Sequence, residues 1–129
     1  SFDHAISIWS QDKKEYVQDM KKHSDRWVLL PVSPSAEQLS RVLFVLIDTL
    51  LKQTSTVNGE KNVSLQSIIV HETATGYAQC FIEDAYNEQM GEVKLEDIVF
   101  SPTIISDWKD ERLFEKLKVG QNFLNPSSV

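Results

Sequence analysis

The chain is poor in several residue types: one cysteine, four glycines, four prolines and three histidines in 129 residues. A lone Cys80 has no internal partner, which excludes a disulfide framework and makes a reducing compartment the expected setting. Long apolar runs are missing as well. The longest, residues 42–47, falls far short of the roughly 20 residues a membrane-spanning helix requires. No secretory signal is expected at the start, so a cytoplasmic location is the expectation. Positive charge is also scarce, with 13 Lys and Arg against 19 Asp and Glu, a net charge of −6 and a pI near 5.0. That balance argues against a nucleic-acid backbone or an anionic membrane as the main partner, since both need concentrated Lys and Arg. The one basic cluster, Lys13-Lys14 with Lys21-Lys22, is interleaved with Asp12, Glu15 and Asp19 and reads as a solvated helix face. Repeats and low-complexity tracts are absent.

What remains is ordinary globular material, 41% hydrophobic and 25% charged, enough for one domain with a real core. Residues 2–9 are apolar around an Asp-His pair and suit a short helix or an extended segment. Ser10 is placed to cap a helix over 11–22, with Tyr16, Val17 and Met20 as its buried stripe. Residues 26–30 suit a short strand, stopped by Pro31 and Pro34. Ser35 followed by Gln38 forms a capping-box signature, with Ser33-Pro34 as a competing frame. The helix it opens runs to about residue 52. Leu39, Leu43, Leu46 and Leu50 share one face, and Val42, Phe44, Val45 and Ile47 widen it, which predicts burial on two sides. After a polar loop around Asn58-Gly59, residues 63–70 and 77–82 form a β-hairpin. A further strand is expected over 93–100, and a last helix over 107–118, capped by Ser106 and closed by Gly120 at its C′ position.

Three places carry candidate chemistry. Glu72 sits at the hairpin's mouth, before a glycine-containing turn. Its paired oxygens match a planar group with two parallel N–H donors, such as a guanidinium or the amino-pyrimidinone edge of a pterin or guanine; a solvated strand-end carboxylate is the other reading. Asp3-His4 suits proton transfer, the carboxylate supporting the imidazolium, although an adjacent pair also arises by coincidence. Ser35 and Gln38 cap a helix, which does not exclude ligand contact. His23, at a helix C-terminus, is expected to meet free carbonyls, and Cys80 to be a small buried apolar residue.

In order, Phe2-Asp3-His4-Ala5, then Pro34-Ser35-Ala36-Glu37-Gln38-Leu39 opening the long helix, then Glu72-Thr73 and Tyr77-Ala78 after a strand make a colinear series. It resembles the 6-pyruvoyl- and 6-carboxytetrahydropterin synthases over residues 2 to about 82. The resemblance implies an α+β tunnelling fold, an antiparallel sheet with two helices on one face. That fold would occupy 1–83 without its first hairpin, and a C-terminal extension would follow over 84–129. It implies Asp3 and His4 as catalytic residues, and Glu72 with Thr73, Ser35 and Glu37 as substrate-binding residues. Its substrate is 7,8-dihydroneopterin triphosphate, on the way to queuosine or tetrahydrobiopterin, and its assembly a homo-oligomer, a hexamer, with sites between subunits.

Departures accompany the match. Ser35 and Gln38 stand where the family has Thr and Asn. The family's zinc, held by three histidines, and its cysteine base find no counterpart, because His4, His23 and His71 are spaced for no zinc site. With Ser1 leading directly into a structured motif, the chain is read as starting inside a domain, its zinc-binding hairpin expected upstream. The alternative is a metal-free pterin- or purine-binding module, or an oligomeric interaction domain, without catalysis.

Overall fold

The computed structural model describes residues 2, 4–55, 64–73, 75–120 and 123–124, with backbone alone at 55 and 123–124. In chain order the elements are β1 (Ile6–Trp9), α1 (Lys14–His23), β2 (Trp27–Leu30), α2 (Ala36–Gln53), β3 (Thr54–Ser55), β4 (Ser67–His71), β5 (Tyr77–Phe81), α3 (Ile82–Ala85), β6 (Val99–Phe100), α4 (Pro102–Ser106), α5 (Leu113–Lys118) and β7 (Phe123–Leu124). This is a mixed α+β chain, and no helix among the described residues is long and apolar enough to cross a membrane.

The strands form small sheets, β1-β2-β6, β3-β7 and β4-β5. Antiparallel pairing, as expected, joins β4 to β5 and β2 to β6. β1 and β2 instead run parallel, with Ile6 opposite Trp27 and Trp9 opposite Leu30. Parallel neighbours need a crossover, and α1 is that crossover. It begins at Lys14, later than the sequence suggests, and Lys13 rather than Ser10 holds its N-cap position, with no side-chain cap bond. No residue of α1 is buried and Tyr16 is 48% exposed, which corrects the expected stripe: Val17, Met20 and Lys21 are only partly buried.

α2 starts where the sequence places it, with Ser35 Oγ accepting from Gln38 N at 3.2 Å. It packs on the hairpin. The strand period turns Ala78 and Cys80 of β5 inward and leaves Tyr77, Gln79 and Phe81 exposed. On α2 the buried set is Ser40, Arg41, Val42, Phe44, Val45 and Asp48, whereas Ile47 and Leu50 are exposed. Leu43, Leu46 and Leu50 of the leucine row face a second side, an apolar groove of about 440 Å³ shared with Phe2, Phe100, Trp108 and α5.

The segment after α3 differs most from expectation. Of the strand expected over 93–100, Val99–Phe100 pairs, preceded by a 3-10 turn at Leu95–Asp97. Of the helix expected over 107–118, residues 113–118 form α5, and a separate helix, α4, lies before that range, so there are two short helices here. Ser101, not Ser106, caps the first of them, accepting from Ile104 N while also accepting from Trp27 N at 3.2 Å. Pro102 in that first turn suits a helix start, and the chain turns before α5. Gly120 follows α5 with φ +77°, as a C′ glycine does. Val93, Ile98, Phe100, Ile104, Phe114 and Leu117 join Val28, Leu30, Val42, Phe44 and Val45 in one core, so residues on both sides of position 84 share it.

A strap over residues 84–91 crosses α2 and is held by Arg41, itself 1% exposed. Its Nε donates to Asp84 O at 2.8 Å, and Nη1 to Met90 O at 2.8 Å and Gln38 Oε1 at 2.6 Å. Nη2 donates to Ala85 O (3.3 Å), Asn87 O (2.9 Å) and Gly91 O (2.6 Å). Every guanidinium donor is thus engaged. Arg41→Met is expected to lower the unfolding free energy by about 3 kcal/mol or more, because converging carbonyls lose their cation. Arg41→Lys should recover only part, having three donors. Urea denaturation checks this, and wild-type stability in Arg41→Met would contradict it.

Candidate functional site

The hairpin closes through the His71 and Tyr77 pair, whose rings lie 5.9 Å apart at 47°. Beyond it the mouth is fixed by backbone: Glu72 N and Thr73 N both donate to Gly76 O, at 3.0 and 3.3 Å, and Gly76 N donates to Thr73 Oγ1 at 2.9 Å. Glu72 is therefore held by its main chain while its side chain is exposed. Thr73 Oγ1 is occupied as an acceptor, which leaves its hydroxyl proton for another partner.

Next to the mouth a cleft of about 310 Å³ opens between α2 and β5, lined by Glu37, Ser40, Arg41, Tyr77, Ala78, Gln79, Cys80, Asp84 and Met90. Of the sequence-nominated residues it includes Glu37; Ser35, Glu72 and Thr73 lie outside its lining. Ser35 acts as a helix cap. The reciprocal half of the capping box is not made, because Gln38 turns away to accept from Arg41 and to donate through Nε2 to Met90 O at 2.7 Å. Arg41 cannot serve as an anion ligand here, since the strap consumes its donors.

His4 lies in a turn before β1, exposed, with a left-handed backbone at φ +55°. It flanks the three-stranded sheet, whereas Glu72 belongs to the hairpin sheet. Asp3 lies outside the described residues. His23 Nδ1 is 2.7 Å from Asp19 O at the end of α1, the carbonyl contact expected of it. Among the described residues no group of three or more His, Cys, Asp and Glu side chains is arranged to hold a metal ion. A zinc ion therefore does not fit the histidines described, and no step below passes through one.

Cys80 is 1% exposed. Burial, with Asp84 nearby and against the pull of Arg41, pushes its thiol above the ordinary value, so it stays protonated and is a poor base. Further along the same face of α2, buried Asp48 accepts from the Tyr86 hydroxyl and pairs with Lys52 Nζ at 2.9 Å. Burial first, then the hydrogen bond and charge of Asp48, push the Tyr86 phenol up. Arg41, Gln38 and Tyr86 were invisible as a set in the sequence, since their partners are main-chain atoms or lie about 40 positions away.

The chain is similar to 6-carboxy-5,6,7,8-tetrahydropterin synthase of Helicobacter pylori strain J99 / ATCC 700824, with 30% identity over 118 residues covering 91% of this chain and 59% of that protein. The same figures hold for the synthase of that name from strain ATCC 700392 / 26695. These similarities support the 6-pyruvoyl- and 6-carboxytetrahydropterin synthase family for this chain. It spans 59% of the length of these relatives. No protein-family model matches it.

Cys80 and Tyr86 both hold their protons more tightly folded than unfolded. Their contribution is complete below the unfolded values, about 8.5 and about 10, and is lost as pH rises through the raised folded ones. Stability in urea should therefore decline above about pH 9. Tyr86→Phe should flatten the upper part of that decline and cost about 1 kcal/mol at neutral pH. An unchanged alkaline limb in Tyr86→Phe would contradict the assignment.

Proposed function

We propose that this chain provides the pterin-holding part of a 6-carboxytetrahydropterin synthase or 6-pyruvoyltetrahydropterin synthase type lyase acting on 7,8-dihydroneopterin triphosphate. The observation that carries the reading is Glu72: the resemblance of its Glu72-Thr73 motif assigns it the pterin anchor, and the hairpin mouth leaves its side chain exposed on a pinned main chain. A carboxylate grips an amino-pyrimidinone edge through two parallel hydrogen bonds, which fixes the ring's orientation as well as adding affinity. Thr73 offers a hydroxyl beside it. Glu37, at the start of α2, supplies a second wall, and Ser35 is assigned contact with the ligand of a neighbouring copy.

Glu72 and Ser35 are both exposed on the isolated chain, as groups meeting across a subunit boundary are, which favours a homo-oligomer, a hexamer by resemblance, with ligand held between copies. Asp3 and His4 are assigned proton transfer at the pterin side chain. The left-handed turn at His4 supports this, because non-glycine residues in that conformation gather at functional sites. The product would feed deazapurine and queuosine synthesis in the cytoplasm.

Turnover of 7,8-dihydroneopterin triphosphate by the complete gene product tests the reading. Glu72→Ala is expected to lower kcat/KM about a hundredfold, and Glu72→Gln less, since one acceptor remains. His4→Ala should lower kcat with little change in KM. A Glu72→Ala variant with wild-type kcat/KM would sink the anchor. Neopterin binding without turnover, in a gene product that binds no zinc, would replace the lyase with a metal-free binding module.

A further inference from the structure

At 63% exposure Tyr77 is the most open Phe, Tyr or Trp among the described residues. An exposed aromatic ring is unexceptional alone, but this one stands where three other features meet. It pairs with His71 across the last rung of the hairpin, one residue before Glu72. It rims the 310 Å³ cleft, which lies at the lower end of the range for ligand sites. Ala78 and Cys80, both small and buried, line that cleft between β5 and Glu37 of α2, with Asp84 and Met90 of the strap also in its wall.

We propose that Tyr77 is the stacking surface for the heterocycle whose edge Glu72 holds, an assignment that rests on the pterin reading above. The two residues divide recognition between them. Stacking on an aromatic face is strong but indifferent to which edge of the ring points where, and the carboxylate supplies the orientation that stacking lacks. The double donation of Glu72 N and Thr73 N to Gly76 O keeps anchor and ring on one closed turn. The phenol hydroxyl has no part in this, so phenylalanine should serve as well.

Fluorescence titration of the complete gene product with neopterin tests the assignment. Tyr77→Ala is expected to weaken binding about tenfold, while Tyr77→Phe stays within about twofold of wild type and keeps the absorbance change of the stacked pterin. Tyr77→Leu, which restores apolar bulk without a π face, should behave like the alanine variant. Since Tyr77 is exposed, all three should melt close to wild type. Loss of binding in Glu72→Ala together with wild-type binding in Tyr77→Ala or Tyr77→Leu would overturn the stack and leave the pterin reading standing. Failure of the wild-type protein to bind neopterin would remove that reading, and the stack with it.

Discussion

A buried guanidinium with no carboxylate partner among the described residues organises this molecule. Taking such a cation out of water is costly unless its donors are met. Arg41 meets the requirement with main-chain carbonyls of the strap and one amide oxygen from its own helix. Its donors point in a rigid fork, so the strap's carbonyls must converge on one point, and the strap can take only one path over α2. Burial pushes the guanidinium below its ordinary value, opposed by Cys80 and Asp84. An arginine starting that high stays charged.

That constraint reaches the cleft. Gln38 is tied simultaneously to Arg41 and to Met90, so the first turn of α2, which carries Ser35, Ala36 and Glu37, is locked to the strap. The hairpin leans on the same helix through Ala78 and Cys80. Glu37 on one wall and Tyr77 on the other are thus set by a shared support rather than by contact with each other. Asp48, Tyr86 and Lys52 fasten the strap's near end, and the T-shaped contact of Tyr86 with Phe44, 6.3 Å between centroids, ties it to the core.

What the sequence made legible was local. The β-branched run followed by Gly76 predicted the hairpin, Ser35 its helix start, Gly120 its helix end and Cys80 its burial, because each rests on the conformational preference of a residue and its near neighbours. The pairing of β1 with β2 was not legible, since a four-residue strand carries no mark of its partner's direction. The start of α4 was not legible, because its cap Ser101 is tied to Trp27, a residue far away in the sequence. Arg41 drew no notice in the sequence, because acceptors that are backbone atoms leave no signature there. For the site, the resemblance named Glu72 and His4, while the cleft beside Glu37 and the exposure of Tyr77 needed coordinates.

Because Arg41 reads oxygens of the peptide chain and not side groups, most strap positions are free to drift in identity while the strap keeps its course. Two positions escape that freedom. Tyr86 is bound through its hydroxyl, and Gly91, at φ +101°, sits where an added Cβ would come within 3.0 Å of Val32 Cγ1. Relatives with the same strap can therefore look unrelated across residues 84–91 except for a glycine at its end and a phenol near its beginning. A single inserted or deleted residue between them would be felt far more than several substitutions.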